Sequence, residues 1–177
     1  PTLGLIGGGH VNRAVSRLAS LLGFRMYAVD DRVEFANKER FPEAETLVIS
    51  DYSRGLENVS VNSNTYIVVA TRGHRYDDLA LAAAIRTPAR YIGLLGSRRK
   101  TLEIYKNLLK EKVPMERLRE VYAPIGLNIG AITPEELAVS IMAEIIMVRN
   151  GGTGMSMKMN TANLNTLMKH EEPDQAL

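Results

Sequence analysis

The 177-residue chain has no cysteine. That excludes disulfides, thiolate metal sites, iron–sulfur clusters and a cysteine nucleophile within it. It has no excess of one charge. Twenty-two Lys and Arg face 20 Asp and Glu, leaving a net charge of +2. Despite the basic pI, such a near-neutral chain is not built as a general nucleic-acid binder. No apolar run approaches the roughly 20 residues that cross a bilayer, and the N-terminus lacks the basic-then-apolar layout of a secretory signal. A cytoplasmic protein is therefore expected, with neither membrane nor nucleic acid as a partner. Pro1 and Thr2 lead straight into an apolar segment, which reads as the start of one domain cut from a longer protein. There is no internal repeat, no P-loop and no Tyr-x-x-x-Lys pair.

What is present is an alternation of short apolar runs and amphipathic stretches. Leu3 to Ile6, Arg25 to Val29, Thr46 to Ile49, Tyr66 to Ala70 and Tyr91 to Leu95 read as strands, and Glu120 to Tyr122 as a short sixth. Val11, Ala14, Val15, Leu18, Leu21 and Leu22 recur at helical spacing, with Gly23 placed to end that helix. Asp77 to Arg86, Leu102 to Lys110 and Pro114 to Arg119 carry further helical patterns. Thr133, Pro134 and Glu136 spell a capping box before a helix that ends near Arg149. The pattern predicts an α/β fold: a doubly wound, Rossmann-like parallel sheet of about six strands in the order 3-2-1-4-5-6, with helices on both faces. Residues 1–152 form the domain, and residues 153–177 a loosely ordered tail.

Chemistry is expected in the turns that leave the strands. Gly7-Gly8-Gly9-His10-Val11-Asn12 joins the first strand to the first helix. Gly7 permits a tight turn, Gly9 clears space for a pyrophosphate, and the helix start offers free N–H groups. The dinucleotide fingerprint wants Gly or Ala at position 12. Asn12 there means either a wider helix–strand spacing or a bond to the ligand. Asp30 ends the second strand, where an acid accepts from ribose hydroxyls, while Arg32 suits a phosphate. A solvated ion pair at Asp30-Asp31-Arg32 is the alternative. Gly96-Ser97-Arg98-Arg99-Lys100 places three cations in a helix's first turn, where the dipole disfavours them unless an anion binds. Thr71-Arg72-Gly73-His74-Arg75 follows the fourth strand. His10 and His74 suit hydrogen bonding better than metal ligation. The glycine-punctuated segment from Ala123 through Gly126 and Asn128 to Gly130 reads as a ligand-closing loop or a plain linker.

Taken together these motifs resemble the C-terminal Rossmann-like domain of the XdhC/CoxI family. Gly7-Gly8-Gly9-His10-Val11, Asp30-Asp31-Arg32, Glu34 to Asn37, Arg40-Phe41-Pro42, Thr71 to His74, Tyr91 to Lys100, Pro124 to Leu127, Ile129-Gly130 and Thr133 to Glu136 carry the resemblance over residues 3 to 152. It implies an accessory protein that binds the molybdenum cofactor, as molybdopterin or its cytidine dinucleotide. Such a protein helps mature the cofactor and insert it into a molybdenum hydroxylase such as xanthine dehydrogenase. A sulfurtransferase is a further implied partner, and a homo-oligomer is expected. No turnover by the chain itself is implied. The family's N-terminal cysteine-containing domain has no counterpart here. Asn128 stands where the family has Asp, and Ile132 where it has Glu. The rival readings are an NAD(P)-dependent oxidoreductase, with His74 as its proton donor, and a nucleotide-sensing module.

Overall fold

The computed structural model describes residues 1–159, 161–162 and 164–165. Its sheet has five strands: β1 (Thr2–Ile6), β2 (Arg25–Asp30), β3 (Thr46–Ile49), β4 (Thr65–Val69) and β5 (Tyr91–Leu94). They lie in the order β3-β2-β1-β4-β5, and every pairing is parallel. The helices are α1 (His10–Leu21), α2 (His74–Ile85), α3 (Arg98–Lys110), α4 (Met115–Arg119) and α5 (Pro134–Asn150). A short 3-10 turn spans Gly55–Asn58.

Both faces of the sheet are covered, because strand residues alternate between two apolar clusters. Leu3, Leu5, Tyr66 and Val68 pack with Val15, Ile141 and Ile145, under α1 and α5. Ile6, Ile67 and Val69 face Leu81, Ile104 and Leu108, under α2 and α3. Ile67, Val68 and Val69 are 0% exposed; burying each such side chain contributes about 1.5–3 kcal/mol relative to leaving it in water. This explains why the central strands read as continuous apolar runs rather than alternating ones.

The expected sixth strand over Glu120 to Tyr122 does not form. The chain passes beside β5 there but makes only a single parallel bridge, Gly93 with Tyr122. Pro124 follows two residues later, and a proline has no N–H for a ladder. α2 and α3 also begin earlier than their apolar periodicity suggests, at His74 and Arg98. The helix from Pro134 has the capping box the sequence predicts, with Glu136 N–H donating to Thr133 Oγ1 at 3.2 Å. In the expected tail, residues 153–159 are exposed and carry no helix or strand. Most of its remaining positions, from 160 on, lie outside the described residues.

Candidate functional site

Parallel pairing puts the turns after β1, β2, β4 and β5 at one edge of the sheet. The chain leaves β1 toward β2 and β3, then returns to β4 on the other side. The crevice between the turns after β1 and β4 is therefore the topological switch point, the usual ligand position in such folds.

The glycine turn is shaped by contacts within the chain. Gly7 has φ +100°, and a Cβ there would lie 2.2 Å from Ala70 O. At Gly8 a Cβ would meet Phe35 O at 2.0 Å, so the β2–β3 loop lies directly against it. Gly8 N–H donates to Asp30 Oδ2 at 2.7 Å, and Arg40 Nε donates to Gly8 O. Gly9 is different, because its nearest neighbour for a Cβ is Ala70 O at 4.0 Å. It precedes α1 without a side-chain cap, and no acid stands in the first turn. The N–H groups at His10 and Val11 are thus offered to the crevice. His10 is exposed, while the Val11 side chain packs against the core. Asn12 turns inward, fully buried, and donates to Gly7 O at 2.7 Å and Ile6 O at 3.2 Å. It ties the helix to the turn rather than facing a ligand.

Asp30 is 1% exposed and braces two loops. Besides Gly8, it accepts from Arg32 Nε at 3.0 Å and Arg32 N at 3.1 Å. Burial alone would raise its pKa. The hydrogen bonds from Arg32 and Gly8 outweigh burial and leave the carboxyl below its ordinary value. Arg32 also lies 3.6 Å from the Phe35 ring centre and 3.6 Å from Asp31 Oδ1. From the far side of β1, Arg72 Nη2 reaches Asp31 Oδ2 at 2.8 Å, with its guanidinium over Tyr76. This ion pair joins the turns after β2 and β4.

After β4, Thr71 Oγ1 donates to Asp77 Oδ1 at 2.7 Å and Thr71 N–H to the same oxygen at 3.1 Å. Gly73 precedes α2 without a side-chain cap, and His74 opens the helix, 3.5 Å from Glu103. After β5, Ser97 caps α3 by accepting from Lys100 N–H at 3.2 Å. Lys100 folds back over Gly96 to pair with the fully buried Asp77 and to donate to Leu95 O at 3.3 Å. Arg99 is 91% exposed and leans on Glu103 at 3.4 Å. Arg98 faces a groove of about 420 Å³ with Gly126, Asn128, Leu137 and Ser140.

The segment bounding that groove is anchored to α5. Ser140 Oγ donates to Leu127 O at 2.6 Å. Buried Glu144 accepts from Tyr91 OH at 2.6 Å and from Gly126 N–H at 2.9 Å. Burial, and then the Glu144 carboxylate, push the Tyr91 phenol well above its ordinary value, so it remains the donor. The stacked rings of Tyr91 and Tyr122, 4.6 Å apart, extend the same support.

The predicted turns therefore share an edge, but their cations do not form one pocket. Arg32 faces the carboxylates of its own turn, Asp30 and Asp31, Arg72 and Lys100 face Asp31 and Asp77 of neighbouring connections, and Arg99 faces its own helix. Asp77, Glu144 and Arg40 were not among the predicted site residues. The first two left a signal, since each is an acid within an apolar helical pattern. Among the described residues no group of three or more His, Asp or Glu is arranged to hold a metal, and no helix is long and apolar enough to cross a membrane.

Residues 3–145 match the model of a family described as the XdhC Rossmann domain. The chain is 39% identical over 155 residues to the uncharacterized protein YqeB of Escherichia coli (strain K12), covering 87% of this chain and 28% of that one. It is 36% identical over 149 residues to a Bacillus subtilis (strain 168) protein described as a probable xanthine dehydrogenase subunit, covering 84% and 43%. Among solved structures, a protein described as a xanthine dehydrogenase from Bacillus halodurans superposes with TM-score 0.74 at 28% identity, covering 85% of this chain and 44% of that one. The chain thus spans less than half the length of each of these relatives.

Proposed function

The chain belongs to the XdhC family, and from that premise we propose that it is an accessory protein for xanthine-dehydrogenase-type molybdenum hydroxylases that holds the molybdenum cofactor at its switch-point edge. Similarity to proteins described as a xanthine dehydrogenase and a probable subunit of one supports the association. One observation carries the binding site. Two helices, α1 and α2, begin there beside glycines with no side-chain cap, and the groove that Arg98 lines lies after β5 at the same edge of the sheet.

The residues fit the group. Its phosphate or pyrophosphate would be held by the N–H groups that follow Gly9 and Gly73, favoured by both helix dipoles. Arg98, Gly126 and Asn128 would receive the flat heterocyclic part. When bound, the cofactor supplies the molybdenum and sulfur chemistry. The chain's own part is to bind, orient and shield, since it has no thiol with which to ligate metal or carry sulfur. Glu144 and Ser140 keep the bounding segment in position.

The test is a melting and calorimetric titration with molybdopterin, its cytidine dinucleotide, NAD(H) and NADP(H). At 100 times Kd a cognate ligand adds roughly 2.7 kcal/mol of stability. A pterin response that Arg98→Ala weakens and Arg99→Ala leaves intact is expected. Indifference to both pterin forms would overturn the reading. NADH consumption with a small carbonyl would establish an oxidoreductase instead.

A further inference from the structure

A second cationic site lies outside the crevice, on the flank of α1 where the β2–β3 loop packs. Arg13, from the first turns of α1, and Arg40, from that loop, line a pocket of about 140 Å³ with Asn37, Glu34 and Glu39. Neither arginine forms an ion pair with a carboxylate among the described residues, although the other loop arginines, Arg32 and Arg72, do. Arg40 Nε donates to Gly8 O, and its guanidinium lies 4.7 Å from the Phe35 ring centre. Its Nη2 and the Nε of Arg13 are both buried without a hydrogen-bond partner. Burial lowers the pKa of Arg40, repulsion from Arg13 lowers it further, and the Asp30 carboxylate offsets only part. Asn37 is already committed, accepting from Arg40 N–H at 2.9 Å and donating to Val33 O at 3.1 Å.

Glu34 and Glu39 line the pocket without pairing with either arginine, and two like charges held together with unmet donors are costly as they stand and favourable around an anion. The pocket has room for one tetrahedral oxyanion, whose oxygens suit guanidinium N–H donors. We propose that Arg13 and Arg40 form a binding site for a phosphate group, either free or carried on a nucleotide. Occupancy would lock the β2–β3 loop to α1, because Arg40 also holds the glycine turn through Gly8.

The proposal is independent of the cofactor reading and is tested with inorganic phosphate. Titrations of the whole chain by calorimetry and thermal melting, at ionic strength matched with chloride, are expected to show saturable stabilisation. Arg13→Gln and Arg40→Gln should each weaken phosphate binding about tenfold or more, the loss of a charge-assisted hydrogen bond. Wild-type protein that responds to phosphate no more than to chloride overturns the proposal, whatever the variants' folding. So does an Arg13→Gln protein that folds normally and keeps wild-type phosphate affinity. A second arm compares NADP+ with NAD+. Tighter NADP+ binding that Arg13→Gln abolishes assigns a nucleotide-borne phosphate; equal binding, with inorganic phosphate still taken up, assigns the free ion. Phosphate binding without any pterin binding would refute the cofactor reading alone.

Discussion

Replacing Lys100 by methionine separates a ligand-binding cation from a structural one. Asp77 is 0% exposed, and Lys100 retains 20% of its side-chain exposure. The carboxylate also accepts twice from Thr71, at 2.7 and 3.1 Å. Lys100→Met keeps the aliphatic stem and removes the charge, leaving a buried carboxylate with two neutral donors. Removing one partner of a buried pair costs about 3–5 kcal/mol, and the partial exposure of Lys100 favours the lower end. For a chain of this size each kcal/mol lowers Tm by about 2–4 °C, so a drop of about 6–12 °C is expected in calorimetric melting. The double variant Asp77→Asn/Lys100→Met should recover most of the loss, because an asparagine oxygen still accepts from Thr71 and needs no cation. A Lys100→Met protein that melts with wild type, while losing anion affinity, would refute the structural assignment and make Lys100 a ligand contact.

Four further outcomes follow from the same edge. Asp30 has its pKa lowered by folding, so its contribution is complete above the ordinary carboxylate value, about 3.9. It is lost as pH falls through the lower folded value. The stability gap between wild type and Asp30→Asn should therefore be full near neutrality and close below about pH 4, as chemical denaturation across pH would show. Gly8→Ala should destabilise by roughly 1–3 kcal/mol, since its Cβ would meet Phe35 O at 2.0 Å. Gly9→Ala should barely affect melting but should weaken binding of any anion at the α1 start, as calorimetry would reveal. Tyr91→Phe removes the phenol from Glu144 and should cost about 1–3 kcal/mol, with faster amide exchange at Gly126 as its local signature.

Much of the fold was legible because hydrophobic periodicity dominates it. β3 matches its predicted span, and β1, β2, β4 and β5 deviate by a residue at their ends. What failed were boundaries set by backbone geometry. α2 begins at His74, after Gly73, with no capping side chain to signal it, and the sixth strand gives way to a single bridge beside Pro124. In the site, turn positions were readable because parallel topology sends them to one edge. The directions of side chains were not. Lys100 and Arg98 sit two residues apart, yet one folds back to Asp77 and the other faces the groove. Arg13 and Arg40 are distant in sequence and meet only because the β2–β3 loop returns over Gly8. No local pattern encodes that return.

The charges at this edge fall into two energetic groups, and the difference bears on ligand capture. Lys100 with Asp77 is largely buried, so an incoming anion cannot recruit Lys100 without stranding a carboxylate at a cost of about 3–5 kcal/mol. Arg72 with Asp31 is more open, at 35% and 23% side-chain exposure, and pairs approaching the exposed limit contribute only about 0–1 kcal/mol. Asp31 keeps Arg32 within 3.6 Å if Arg72 leaves. Of the two pairs, Arg72 with Asp31 is thus the cheaper to part, its guanidinium then resting on Tyr76, while the Lys100 anchor on Asp77 holds the turns after β4 and β5 in place.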